Sequence, residues 1–229
     1  MDHKKVSDTW ARGDPYEQYV GRWSRRVAPL FLSWLGVPPE RKWLDVGCGT
    51  GALCAAILDH CSPSSVTGVE PSEGFLQKAR EHLARRAVLH QGSATAIPLD
   101  DASVDAVVSG LVLNFVPDQR AALVEMARVT GNGGTIGAYV WDYAGKMELM
   151  QIFWDAAVEL DSEAARIEEG LRFPLCRPMA LTELFASIRL KGIAVTAIDI
   201  PTPFCAFRRL LAAIPGRPGT LPRLRHVVL

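Results

Sequence analysis

Asp45, Gly47, Gly49, Gly51 and Glu70 are the residues of this 229-residue chain whose types and spacing can do chemistry. The first four lie in WLDVGCGTGAL (43–53), and Glu70 ends SVTGVE (65–70). An apolar run, glycines at alternate positions and an alanine- and leucine-rich run read as strand, tight turn and helix start. Such a turn presents backbone N–H groups and lets a ligand approach the main chain closely. Glu70 follows Gly47 by twenty-three residues, near the spacing at which an acid meets ribose hydroxyls in nucleotide sites. An ionised carboxylate can accept hydrogen bonds from both hydroxyls of a ribose.

Asp45 separates the candidate ligands. Beside a pyrophosphate it repels like charge, whereas beside an α-ammonium group it attracts. The G-x-G-x-G spacing also departs from the G-x-G-x-x-G of dinucleotide sites. S-adenosylmethionine has a ribose, an adenine, an ammonium and a sulfonium, and it carries no phosphate. It is the cofactor these residues favour. A nucleotide-cofactor oxidoreductase on a related fold is the alternative, and a non-catalytic S-adenosylmethionine-binding protein is a third reading.

The elements that position these residues follow from the hydrophobic pattern. Helices are predicted over 25–35, 51–60, 73–86, 118–130, 146–160 and 179–190, with Ser72 capping the third. Strands are predicted over 42–46, 65–70, 87–91, 104–110, 135–142 and 192–200, with Gly131, Gly133 and Gly134 breaking the helix before the fifth. The early strands are near-continuous apolar runs, as expected of a parallel sheet covered on both faces. The expected fold is α/β: a Rossmann-like, doubly wound, mostly parallel sheet with helices on both faces.

The motifs resemble those of class I S-adenosylmethionine-dependent methyltransferases, in their broad small-molecule, type 11-like branch. LDVGCGTG (44–51) is similar to that family's first motif, and GVEPSEGFLQKAR (68–80) to its ribose-binding segment. GSATAIPLDDASVDAVVSGLVLNFVPD (92–118) is similar to the adenine and fourth-strand segments, and MARVTGNGGTIGAYVW (126–141) to the stretch entering strand five. The resemblance covers roughly residues 16–205. It implies methyl transfer from S-adenosylmethionine to a small-molecule acceptor. It assigns Glu70 to the ribose, Gly47, Gly49 and Gly51 to the methionyl part, and Pro71 and Ser72 to the adenine flank; Asp45, by its charge, and Cys48, a small packing residue of the turn, are expected in the same cofactor site. Gly110 and Leu111 line the methionyl side. Ser93, beside Ala94, stands where the family often has the Asp that reads the adenine amino group, so this contact loses its charge.

Organisation and exclusions complete the expectation. A single methyltransferase domain spans 1–229: an N-terminal lid or helix (1–35), a cofactor-binding core (41–142), a substrate-side insertion (143–178), a last helix and strand (179–205) and an atypical basic tail (206–229). Tyr16, Tyr19, Arg22 and Trp23 are lid candidates. No catalytic residue is assigned, Asp142 being a candidate base by position alone. Formal net charge is zero, which argues against nucleic acid and membrane partners. Five cysteines without C-x-x-C pairing read as free thiols in a cytoplasmic protein with no metal.

The tail is unusual: residues 206–229 hold five arginines and no acid. Nothing after residue 200 reads as a convincing long strand. The family's seventh, antiparallel strand is therefore expected to be missing, leaving a sheet edge open to a dimer contact. RRLLAAIPGRPGT (208–220) can be encoded so that reading one base later gives DDYWRPFLGGQGP. That string is similar to the family's usual continuation, and it raises a shift of reading frame.

Overall fold

The computed structural model describes residues 22–145, 147–188, 190–201 and 223–228. Helix α1 (Arg22–Leu35) ends at Gly36, whose φ of 60° suits a residue without Cβ. Strand β1 (Lys42–Val46) leads through the glycine turn into α2 (Ala52–His60). Then come β2 (Ser65–Glu70), α3 (Glu73–Leu83), β3 (Val88–Gln91) and β4 (Val104–Gly110). Helix α4 (Gln119–Val129) precedes β5 (Thr130–Trp141). Ser72 caps α3 by accepting from the Phe75 N–H, and Asp118 caps α4 by accepting from Ala121.

With β6 (Thr196–Pro201) and β7 (Arg223–Val228), the sheet order is β3-β2-β1-β4-β5-β7-β6. Strands β1 to β5 are parallel, and β7 (Arg223–Val228) runs antiparallel to both neighbours. Alternating residues of β1 feed two cores. Trp43 packs with α1, α2 and α3 on one face, while Leu44 and Val46 pack with α4 and α7 (Pro178–Ala186) on the other. That is the doubly wound arrangement expected. Chain order reverses between β1 and β4, which opens a crevice at their carboxyl ends. Ser109 fixes that junction by donating to the Val46 carbonyl at 2.9 Å.

Three expectations are corrected. The seventh strand is present. It lies between β5 and β6 (Thr196–Pro201), pairing with β6 along six residues. Its six residues, RLRHVV, suffice because both neighbours supply hydrogen bonds, so it needs no long apolar run. The edge of β6 that was to attract another chain is thereby occupied by β7. The third correction concerns β5, which starts at Thr130 rather than 135, with its pairing to β4 shifting register between Val104 and Ala106. The glycines at 131–134 sit in that irregularity instead of ending the element. Tyr16, Tyr19 and residues 202–222, including the alternate-frame stretch, lie outside the described residues.

The predicted insertion contains α5 (Glu148–Leu160), the four-residue α6 (Glu169–Arg172) and 3₁₀ turns at Ser162–Ile167 and Pro174–Cys176. Its segment Phe173–Cys176 packs over the α4 side of the sheet. No helix among the described residues is long and apolar enough to cross a membrane.

Candidate functional site

The glycine turn is built from backbone constraints. Gly47, Gly49 and Gly51 have φ of 75°, 53° and 85°, the left-handed region that side chains make costly. Space adds a second reason. A Cβ on Gly47 would lie 2.4 Å from the Val112 side chain, and one on Gly51 would lie 2.8 Å from Leu83. The Gly47 and Cys48 N–H groups donate to the Val69 carbonyl at 2.7 and 3.1 Å, which ties the turn to β2.

Glu70 bridges the loops after β1 and β2. Its two carboxylate oxygens accept from the Gly49 N–H at 3.1 Å and the Ser72 N–H at 3.0 Å. Those bonds fix the carboxylate at the rim of the crevice with lone pairs to spare. Burial raises its pKa, against the lowering effect of the two N–H groups. Asp45 is buried at the end of β1, 1% exposed. Desolvation pushes its pKa up to about 7, with Glu70 adding repulsion; hydrogen bonds from the Cys54 thiol and N–H oppose the rise. The thiol contact is 3.3 Å. Such a carboxylate is a host for a cation.

A cavity of about 160 Å³ opens on these groups. Asp45, Gly47, Cys48, Gly49, Glu70, Gly110 and Leu111 line it. Gly51, Pro71, Ser72, Ser93 and Ala94 do not. Gly51 serves the turn, and Ser72 caps α3 and donates to Glu70. Ser93 is exposed and bonded locally to Thr95 at 2.9 Å. Asp142 lies beyond the lining, 5% exposed, accepting from the Gly145 N–H at 2.9 Å. Trp23 is 4% exposed and packs in the core on the α1, α2 and α3 side of the sheet.

Sequence reasoning missed Ser24, Phe75, Phe115 and Tyr139 in the lining. Tyr139 had a readable signal: it stands opposite Gly110 in the β4–β5 register, and a Cβ there would lie 2.6 Å from the tyrosine hydroxyl. Leu111 departs from backbone norms with φ of 60°. Its N–H is pinned to the Tyr139 carbonyl at 2.8 Å, and strain of this kind concentrates at functional sites. A larger cavity, about 680 Å³, lies at the amino end of β5 between Trp34, the 131–134 glycines and residues 190–194. It contains none of the predicted site residues.

Residues 44–137 match the family model described as a methyltransferase domain. The chain is 38% identical over 117 residues to demethylmenaquinone methyltransferases of Staphylococcus aureus strains JH9 and Newman. The match takes in 50% of this chain and 47% of the relative, so the chain spans about half the length of the curated relatives it matches. Among solved structures, a methyltransferase in complex with the Haloferax volcanii Trm112 methyltransferase activator aligns with TM-score 0.65. Identity there is 21%, over 98% of this chain and 97% of that one. An S-adenosylmethionine-dependent methyltransferase from Aquifex aeolicus aligns at TM-score 0.58 and 14% identity, over 91% and 92% of the two chains. At these identities the structures carry the fold alone.

Proposed function

We propose that the chain is an S-adenosylmethionine-dependent methyltransferase acting on a small-molecule acceptor. The observation that carries the reading is the pair of buried acids at the switch point, one positioned by two N–H groups and one in want of a cation. The match of residues 44–137 to a methyltransferase-domain family model supports it. The residues present fit the cofactor. Glu70 holds the ribose hydroxyls, and Asp45 attracts the ammonium across the glycine turn. Gly47 and Gly110 keep the methionyl path open, since side chains at either would collide with Val112 or Tyr139. Ser93 is the proposed adenine contact, beside Ala94, with Pro71 and Ser72 on the adenine flank.

When bound, S-adenosylmethionine supplies a methyl group on a sulfonium, which passes to an acceptor lone pair as the carbon–sulfur bond breaks and leaves a thioether. The chain's part is alignment and exclusion of water. Leu111, Val112, Phe115 and Tyr139 form the apolar lining that does both. A base is needed only for a protonated acceptor. Asp142 is the nearest candidate from the sequence, but its carboxylate already closes the turn to Gly145.

Calorimetry with S-adenosylhomocysteine tests the reading. The wild-type chain should bind, and Glu70→Ala should lose about 2–4 kcal/mol, the cost of a buried charge-assisted hydrogen-bond pair, with an unchanged circular-dichroism spectrum. Equal affinity in the two proteins would overturn the assignment. Demethylmenaquinone, the molecule after which the relatives are named, belongs in the acceptor panel.

A further inference from the structure

Strand β7 supports its neighbours along only part of their length. It pairs with β5 at Tyr139, Val140 and Trp141, whereas β5 begins at Thr130. On its other side it pairs with β6 from Pro201 back to Thr196. Lying between them, β7 keeps β5 and β6 two strand spacings apart, roughly 9.5 Å. Past Val228, towards the amino end of β5, lies the cavity of about 680 Å³.

The register of β7, carried past Val228, matches this cavity residue by residue. Val228 stands opposite Tyr139 and Thr196. In the same register the second position beyond it falls opposite Gly137 and Ala194, and the third opposite Ile136 and Ile193. The fourth falls opposite Thr135 and Gly192, and the fifth opposite Gly134 and Lys191. All of these flanking residues except Gly137 line the cavity.

Both flanks offer unpaired backbone. Strand β5 pairs with β4 along its other edge from Thr135 to Tyr139, and the Tyr139 carbonyl accepts from Leu111. Ile136, an odd number of residues earlier in the same regular run, therefore turns its N–H and C=O into the slot. No backbone hydrogen bond joins residues 190–194 to any other described residue. Two facing rows of such groups call for donors and acceptors at strand spacing, which a small apolar molecule does not supply.

Helices cover both faces of the slot. Trp34 and Leu35 of α1 lie on one side, Ala127 of α4 and Phe185 of α7 on the other. Gly137 belongs to the α1 face, since a Cβ there would lie 2.8 Å from Leu35. Ile136 and Ile193 pack with the core on the opposite face. Side chains alternating along a strand would meet apolar surface on both faces, and Trp34 keeps 37% of its surface exposed there. Lys191, exposed, is the single charged residue of the lining.

We propose that this slot binds an extended segment of another polypeptide, continuing β7 between β5 and residues 190–194, with apolar side chains on both faces and an acidic residue beside Lys191. It is strand addition inside a sheet rather than at its rim. The segment runs in the sense of β7, antiparallel to both neighbours. Its site is at the opposite end of the strands from Glu70 and is independent of cofactor binding.

The probe is acetyl-Ile-Val-Val-Glu-Lys-Lys-amide with fluorescein on its last lysine, followed by anisotropy on the full chain. Its first four residues take the second to fifth positions. Saturable binding is expected. N-methylation of the first valine keeps every side chain and removes one donor, so it should weaken binding at least ~10-fold. Lys191→Glu, at an exposed position, should weaken the peptide at least ~3-fold, and replacing the peptide's glutamate by lysine should restore affinity for that variant. Hydrogen exchange should slow over residues 134–137 and 190–195 and stay unchanged over 47–51. Absence of saturable binding, equal affinity of the N-methylated peptide, or no change of charge preference in Lys191→Glu would overturn the proposal. Protection confined to Val88–Gln91 or to Thr196–Pro201, the strands at the two rims of the sheet, would overturn it as well.

Discussion

Asp45 links cofactor binding and stability to pH in opposite directions. Its carboxyl ordinarily titrates at 3.8, and burial lifts it to about 7 in the fold. Between those values the unfolded chain has lost the proton while the folded chain keeps it. The folded state binds more protons, so stability falls as pH rises through that window and levels off above it. At ~1.4 kcal/mol per pH unit the whole effect is on the order of 4 kcal/mol. A cationic ligand beside Asp45 favours the ionised form. S-adenosylhomocysteine, which keeps the ammonium, should therefore expel a proton below pH 7 and bind roughly 20-fold more weakly at pH 5.5 than at pH 8. Glu70 faces Asp45, and its own pKa is raised by burial, so Glu70→Gln serves as a control for its share. Calorimetry in two buffers of different ionisation enthalpy counts the protons, and thermal melts of the free chain follow stability. Asp45→Asn should flatten both profiles. An affinity independent of pH from 5.5 to 8 without proton release, or an Asp45→Asn variant that keeps the wild-type slope, would refute the reasoning.

Gly47→Ala should lower stability by ~2–3 kcal/mol, since it adds left-handed strain to overlap with Val112; pairing it with Val112→Ala should restore part of the loss in chemical denaturation. Cys54 and Cys176 are buried free thiols whose pKa values are raised, Cys176 to about 12 by burial and then by Asp142. Peptide mass spectrometry after iodoacetamide at pH 8 should find both unmodified in the native chain, with Cys61, partly exposed, labelled before them; early labelling of Cys54 would contradict its placement under Asp45.

What the sequence made legible follows from which forces act locally. Strands β1, β2 and β4 were readable to the residue because both faces are covered, so short valine-, leucine- and tryptophan-bearing runs mark them and the acids near the ends of β1 and β2 stand out. Asp45 and Glu70 were visible for that reason. A carboxylate at the end of a buried run has no local purpose, and a turn of alternate glycines beside it supplies one. Strand β7 was not legible, because Arg223 and Arg225 break the apolar pattern and its stability comes from pairing with distant β5 and β6. Tertiary context overrides propensity most easily in such short strands. Phe115, Phe173 and Tyr143 were likewise invisible as a group, since each looks like ordinary core until the insertion folds back over the sheet. Their meeting depends on the right-handed β4–α4–β5 crossover, which sets the ends of β4 and β5 side by side. The glycine turn and its two acids lie within residues 45–70 and read from that stretch. The contacts among Phe115, Tyr143 and Phe173 are instead assembled from separate loops at the carboxyl edge of the sheet, the part of such folds where sequence changes leave the strands untouched.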